Sequence, residues 1–334
     1  MPAFNEERYI EACIASVQAQ DYPSENIEIL IADGRSTDQT RAIINRLAAA
    51  DPRIHLIDNP DRLQAAGLNQ IVRESTGDII VRMDVHCEYS HDYVRRCVEV
   101  LAATSADNVG GAQRSKARTF FQKALCAALQ SPLGVGGASY RSADREGYVD
   151  TVFLGAFRRA VFERVGLWDP RAITNEDADL NQRILASGGR IFLSREIVVH
   201  YYPRDSFQTL ARQYYKYGRG RARTLLKLGR FPTLRPLVPF LMVSAGAAMA
   251  ALPPLWPALP PAVAAYALAT GIEAVRVGRD LPAKAWPVIW GIFPVLHAAH
   301  GVGFAAGLLH YTLNRDWTDA PEQLPSRRTH LRVV

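Results

Sequence analysis

The sequence predicts an α/β domain with a largely parallel sheet, followed by helices that enter a membrane. From Met1 to Tyr201, short β-branched runs alternate with segments of helical period, the pattern of strands separated by crossover helices. Further on, no Asp, Glu, Lys or Arg lies between Arg235 and Glu273, or between Lys284 and Arg315. The charge divides the same way. Residues 1–203 carry 23 Lys and Arg against 27 Asp and Glu, whereas residues 204–334 carry 16 against 6, so the net +6 joins an acidic domain to a basic C-terminal part. The 334 residues, 48% hydrophobic and 22% charged, suffice for a sizeable core and exclude disorder. Binding to nucleic acid is not expected, because the excess positive charge lies outside the α/β domain.

The expected strands are Ile27–Ala32, His55–Asp58, Ile79–Met83, Val109–Gln113, Val149–Phe153 and Ile197–Tyr201, each a β-branched or aromatic run. The expected helices are Glu6–Gln18, Thr37–Ala49, Leu63–Arg73, Asp92–Ala102 and Asp177–Ser187. Ser131–Gly147, rich in Gly and Ser, reads as a long loop of the kind that often carries function. The four cysteines, Cys13, Cys87, Cys97 and Cys126, show no C-x-x-C spacing and suit a reducing compartment.

This gives four regions: the α/β domain over 1–203, a basic stretch over 204–235, two to three membrane helices over 236–314 and a polar tail over 315–334. A helix needs about 20 apolar residues to cross a bilayer. The first charge-free gap holds two passes, broken at Pro253, Pro254, Pro257, Pro260 and Pro261, and the second holds one tilted pass or a re-entrant segment. Trp256, Trp286, Trp290 and Tyr311 suit interfacial anchoring. The competing reading is a buried helical bundle in a soluble protein. In the basic stretch, Arg212, Lys216, Arg219, Arg221, Arg223, Lys227 and Arg230 alternate with aromatic and Leu residues, as in an amphipathic helix lying at the membrane surface. The positive-inside rule puts this stretch and the α/β domain on the cytoplasmic side of the inner membrane.

Two carboxylates end apolar strands: Asp33 after IEILIA and Asp84 after IIVRM. In open α/β sheets ligands bind beyond the carboxyl ends of strands, so both belong in one crevice. The chain has neither G-x-G-x-x-G after a strand nor G-x-x-x-x-G-K-[ST], which points away from dinucleotide and P-loop sites and toward another nucleotide site.

Four motifs in order carry a resemblance: Pro2-Ala3-Phe4-Asn5-Glu6-Glu7, Ala32-Asp33-Gly34-Arg35-Ser36-Thr37-Asp38, Met83-Asp84-Val85-His86 and Asn175-Glu176-Asp177-Ala178-Asp179-Leu180. They resemble those of family 2 inverting glycosyltransferases over roughly residues 1–220, closest to membrane-bound exopolysaccharide glucosyltransferases of the succinoglycan type. The resemblance implies a GT-A fold with a Rossmann-like mixed sheet. It also implies a nucleotide-diphosphate sugar donor, UDP-glucose in first place, and a polyprenyl-diphosphate-linked saccharide as acceptor. Other polysaccharide-assembly proteins are potential partners.

By resemblance, Pro2, Asn5, Glu6 and Asp33 line the nucleotide pocket, Asp33 meeting the base edge; the alternative for Asp33 is an acid at a helix N-terminus. Asp84 and His86 stand where the family has Asp-x-Asp and imply a divalent metal at the diphosphate. Imidazole suits transition metals better than Mg²⁺, which favours Mn²⁺; the alternative is a His86 that only hydrogen-bonds. Asp177 is by resemblance the general base for the acceptor hydroxyl, with Glu176 beside it at the sugars; the alternative is helix capping. Asp179 either orients the acceptor or solvates the helix. Gly155 and Ala156 resemble small residues beside the donor sugar, with Arg158 behind them.

Arg62, Ala66 and Asn69 are spaced to share a helix face, from which Arg62 reaches the nucleotide or stays in solvent. Phe153 and Trp168 read as core or acceptor-stacking residues. Gln213, in Gln213-Tyr214-Tyr215-Lys216-Tyr217, resembles the start of the Gln-x-x-Arg-Trp motif of processive synthases, from which the last two residues depart.

In the resembling family an apolar strand precedes the first motif, and this sequence supplies only Met1. A natural start further upstream is therefore expected. The rival functions are transfer to bare polyprenyl phosphate and a degenerate transferase fold serving as a membrane assembly partner.

Overall fold

The computed structural model describes residues 1–135, 144–172, 174–229, 234–315 and 322–324. The chain forms two compact units: Met1–Gln113, Ala143–Val199 and Asp319–Val334 make the first, and Arg114–Ser142 and His200–Thr318 the second. The expected 1–203 domain is therefore interrupted after Gln113, and the described residues 322–324 group with it.

In the first unit, Ile29–Asp33 pairs in parallel with Ile54–Asp58 on one side and Pro2–Ala3 on the other. Every residue of Ile29–Asp33 is buried, as a central strand covered on both faces must be. The pairing sets Asp33 opposite Asp58 and Ala3 opposite Asp33. A second sheet has the order Ile79–Val81, Phe153–Arg158, Asn108–Gly111, Ile191–Leu193, Gly147–Tyr148. Phe153–Arg158 runs antiparallel to both its neighbours, while Ile191–Leu193 is parallel to Asn108–Gly111. The sheet is thus mixed.

The strand expected at Val149–Phe153 lies instead at Phe153–Arg158. The left-handed backbone of Leu154, φ 65°, and Gly155, φ 103°, is not something a propensity pattern reveals. Gly155 is also required sterically, since a Cβ there would lie 2.5 Å from Oδ1 of Asn108. Helices Gln64–Glu74 and Tyr93–Ala103 bury Leu68, Ile71 and Val72, and Val94, Cys97, Val100 and Leu101, the helical spacing that the sequence shows. Trp168 is fully buried among Phe157, Phe162, Leu167 and Leu180 at the centre of the core. None of the four cysteines forms a disulfide among the described residues.

The second unit is helical. Helix Phe120–Gln130 starts with a capping box between Thr119 and Gln122. Its apolar side chains Ala124, Leu125 and Ala128 join Leu210, Ala274, Ile289, Ile292 and Phe293 in one cluster. That shared burial is why a segment from the middle of the sequence groups with the C-terminal helices. The first charge-free stretch splits at the proline cluster into Val238–Ala251 and Pro253–Val277, and the second forms Ala285–Leu313.

Pro253–Val277 and Ala285–Leu313 are long and apolar enough to cross a membrane, whereas the 14 residues of Val238–Ala251 span only about 21 Å of the roughly 30 Å required. On Pro253–Val277, Val263, Leu268, Ile272 and Val275 are exposed, which a helix in the core of a soluble bundle would avoid.

The basic helix, Phe207–Leu228, does not lie free. It packs along Ala285–Leu313, with Gly218 against the carbonyl of His300 and Gly303 against that of Tyr215. Of its expected surface cations Arg223 is buried, and Arg230 falls outside the described residues. Of the expected 131–147 loop, Pro132–Val135 is helical, Gly147–Tyr148 is a strand, and residues 136–143 fall outside the described residues.

Candidate active site

The chain's first motif is stitched to its second. Asn5 adopts a left-handed conformation, φ 55°. Its N–H donates to Oγ of Ser36 at 2.8 Å, and its Oδ1 accepts the N–H of Thr37 at 2.8 Å. The N–H of Glu6 donates to Oγ1 of Thr40 at 2.7 Å. Pro2 pairs with Ala32, so Pro2, Asn5, Glu6 and Asp33 share one end of the parallel sheet. There Asp33 is fully buried and accepts from Ser36 N–H at 3.0 Å, Ser36 Oγ at 2.5 Å and Arg41 Nη1 at 2.8 Å.

Arg41 also meets Asp58 at 3.0 Å, and Arg35 meets Asp58 at 3.2 Å. Asp58 was not singled out by motif. Its signal was its place at the end of the strand next to Asp33, the same rule that found Asp33 and Asp84.

The third and fourth motifs converge on Arg82, a residue the motif reading passed over. Its guanidinium is buried, 4% exposed. Nε and Nη2 donate to the two oxygens of Asp84 at 3.1 and 3.2 Å, and Nη1 reaches Glu176 at 3.3 Å and Oδ1 of Asp177. Burial alone would weaken the cation, but the charges of Asp177, Asp84 and Glu176 outweigh it and hold the guanidinium's pKa well above its ordinary value. Burial first, and then the charge of Asp177, pushes Glu176 up to about 7. Asp177 is also raised by burial, against the opposing pull of Arg82.

The backbone N–H of Arg82 donates to the carbonyl of Gly155 at 3.0 Å, so Gly155 and Ala156 sit on the strand that carries Arg82 into place. Gln64, at the start of its helix, donates to Oδ2 of Asp84 at 3.3 Å.

Asp177 follows Asn175, whose left-handed backbone, φ 64°, starts the helix Glu176–Ala186 without a side-chain cap. Glu176, Asp177 and Asp179 all lie in the first turn of that helix. Oδ1 of Asp177 accepts the indole N–H of Trp168 at 3.0 Å as well as Arg82. Among the described residues Oδ2 has no hydrogen bond, and the side chain keeps 27% exposure. Asp179 faces inward, buried, and pairs with Arg183 at 2.9 Å, so it neither solvates the helix nor faces outward toward an acceptor.

His86 is half exposed. Its Nε2 lies 2.9 Å from Oε1 of Glu6 and its ring stands edge-on to Tyr9, which joins the first motif to the third.

One expectation needs correction. Arg62 is not on a helix face: the helix begins at Gln64, and Arg62 precedes it, exposed, with φ 55°. Of the two readings of Trp168 the core one holds, since its side chain is wholly buried. Gln213 lies in the second unit, on Phe207–Leu228, where its amide donates to the hydroxyl of Tyr201 at 3.4 Å.

Residues 1–166 match the family model described as glycosyl transferase family 2. The succinoglycan biosynthesis protein ExoA of Rhizobium meliloti (strain 1021) is 36% identical over 317 residues, covering 93% of this chain and 94% of that protein. This chain belongs to glycosyl transferase family 2.

The family 2 enzyme is also 28% identical over 242 residues to a dolichyl N-acetyl-α-D-glucosaminyl phosphate 3-β-D-2,3-diacetamido-2,3-dideoxy-β-D-glucuronosyltransferase of Methanococcus voltae, covering 70% of this chain and 75% of that one. Among solved structures, the mannosyltransferase PcManGT of Pyrobaculum calidifontis, in complex with GDP-Man and Mn²⁺, superposes with a TM-score of 0.60 at 20% identity, over 92% of this chain and 85% of that one. TarS 1-349 of S. aureus in complex with UDP-GlcNAc gives a TM-score of 0.51 at 13% identity, over 91% and 89%. The glycosyltransferase thus has the GT-A fold that its motifs imply, followed by apolar helices of membrane-spanning length.

Proposed function

We propose that this chain is a membrane-anchored inverting glycosyltransferase that moves glucose from UDP-glucose to a polyprenyl-diphosphate-linked saccharide during polysaccharide assembly. Its catalytic unit faces the cytoplasm at the inner membrane. The observation that carries this reading is the position of Arg82: one guanidinium bonds both Asp84, at the strand end assigned to the diphosphate, and Asp177, the candidate base. Donor and acceptor chemistry therefore meet within the span of one side chain. The lipid-linked acceptor is supported by the Methanococcus relative, whose name specifies a dolichyl-linked sugar phosphate.

In this reading Oδ2 of Asp177 takes the proton of the acceptor hydroxyl. The oxygen attacks C1 of the sugar from the face opposite the diphosphate, the C1–O bond to the diphosphate breaks, and the anomeric centre inverts. Trp168 and Arg82 hold Oδ1, which fixes where Oδ2 points. Pro2, Asn5, Glu6 and the Asp33–Arg41–Asp58 group form the nucleotide end, Arg62 stands at its exposed rim, and Gly155 and Ala156 leave room for the donor sugar. Glu176 flanks the base.

Asp84 and His86 are the residues that would hold a divalent ion, and their oxygen and nitrogen donors fit Mn²⁺ better than Mg²⁺. Among the described residues no group of three or more His, Cys, Asp or Glu could hold an ion. Bound there, it supplies counter-charge to the leaving diphosphate.

The test is a panel of labelled nucleotide sugars offered to membranes containing the protein, with bare or saccharide-bearing carrier and Mn²⁺, Mg²⁺ or chelator. Transfer from UDP-glucose to the saccharide-bearing carrier, lost in Asp177→Asn and in Asp84→Ala, is the expected result. Transfer to bare polyprenyl phosphate instead, full activity in chelator, or unimpaired Asp177→Asn would each remove the corresponding part.

A further inference from the structure

Three residues from beyond the last apolar helix belong to the catalytic unit. The carbonyl of Glu322 accepts the N–H of Leu167 at 2.9 Å. The carboxylate of Glu322 pairs with Arg73, whose Nε lies 3.1 Å away. Leu324 packs, half-buried, on the core cluster that contains Phe162, Leu167 and Trp168.

The amide held by Glu322 immediately precedes Trp168. On Trp168 itself, Asn69 closes a reciprocal pair: the Trp168 N–H donates to Oδ1 at 3.0 Å, and Nδ2 donates to the Trp168 carbonyl at 2.8 Å. Arg183 binds the carbonyls of Gly166 and Leu167 at 3.1 and 2.7 Å, and that of Val165. Asn69 and Arg73 are i and i+4 on the helix Gln64–Glu74, so one helix face grips Trp168 and the tail together. The other end of this chain of contacts is the indole N–H on Asp177.

Glu322 is exposed and Leu324 only half-buried, so these residues add little to the core as a whole. The bond from the Glu322 carbonyl falls instead on the backbone of Leu167, next to the residue that carries the indole.

We propose that Glu322–Leu324 is a positioning strap, which fixes the Leu167–Trp168 backbone so that the indole holds Asp177 in one orientation with Oδ2 turned to the acceptor. The proposal rests on Asp177 being the base. Glu322 and Leu324 are positioning residues that act through Trp168.

The experiment uses the full chain in membranes or detergent and compares wild type with Leu324→Asp, Arg73→Glu, Glu322→Arg and the Arg73→Glu/Glu322→Arg double variant. Amide exchange of the peptide carrying Leu167 reports the strap directly. Turnover at saturating acceptor and the KM for donor report its consequence. Faster exchange at Leu167 is expected in the single variants, with kcat reduced about tenfold and donor KM unchanged, and with both recovered in the charge-swapped pair.

Unchanged exchange in Leu324→Asp, unchanged turnover despite faster exchange, or a loss of donor affinity in step with kcat would overturn the strap. Asp177→Asn, assayed alongside, separates the two ideas. Its retained turnover would remove the base reading while the exchange data still decided whether the strap is bound at Leu167.

Discussion

The indole nitrogen of Trp168 and Oδ1 of Asp177 lie 3.0 Å apart, with the indole ring locked between Phe157 and Phe162. A wholly buried ring thus presents its only polar atom to a partly exposed carboxylate. Trp168→Phe keeps most of the packing and deletes that donor. A hydrogen bond to a charged group contributes about 1.5–3 kcal/mol, so kcat is expected to fall about tenfold or more with donor KM unchanged. Steady-state kinetics with varied donor checks the split.

Arg82 is a buried cation among three carboxylates. Replacing it with Met leaves those carboxylates without their counter-charge, and removing one partner of a buried ionic group costs about 3–5 kcal/mol. Arg82→Met is expected to melt well below wild type and to lose activity. Arg82→Lys, which lacks the planar fork, should recover part of the stability and little of the turnover. Thermal unfolding followed by assay of the folded fraction tests both.

Glu176 takes up a proton near pH 7 because burial, and then the neighbouring Asp177, disfavour its charge. Its folded pKa stands above the ordinary 4.5, so its stabilising contribution is complete below the ordinary value and is lost as the pH rises through about 7. Glu176→Gln, neutral throughout, is therefore expected to gain several degrees in Tm over wild type at pH 8 and to gain nothing at pH 5. An equal difference at both values would refute the assignment.

In the second unit, a Cβ on Gly218 would lie 2.1 Å from the carbonyl oxygen of His300, and one on Gly303 would lie 2.1 Å from that of Tyr215. Small residues at such crossings let two backbones touch. Gly218→Val and Gly303→Val should each force Phe207–Leu228 away from Ala285–Leu313 and lower the yield of detergent-stable protein. Gly246→Val, where a Cβ meets nothing, is the matched control. Size-exclusion profiles after heating give the comparison.

The strand-end carboxylates and the acidic turn at Glu176-Asp177 were legible in the sequence because each is a local pattern, an apolar run ending in a charge. Most helices were found to within a few residues because their apolar spacing is local too. Arg82 was hidden. Read alone it is a polar residue late in a strand, and its meaning comes from Asp177, 95 positions away. Trp168 looked like any core aromatic, since nothing nearby in sequence announces a bond from its indole to Asp177.

Arg62 was misplaced because a helix period was extended through a residue with positive φ. The strand Phe153–Arg158 was misplaced by the same kind of backbone turn at Leu154 and Gly155. The grouping of Arg114–Ser142 with the C-terminal helices depends on burial between distant segments, which periodicity does not report.

The contact of Arg73 with Glu322 joins residues 249 positions apart, and this has a consequence for how the protein is made. Domains fold as units in the order they leave the ribosome, yet the core around Trp168 lacks its last pieces until residues 322–324 have been synthesised. By then both long apolar helices have already been synthesised. The closing step of the catalytic unit therefore comes after the membrane-spanning candidates are made, so a chain that stalls before its tail ends with an unfinished active centre.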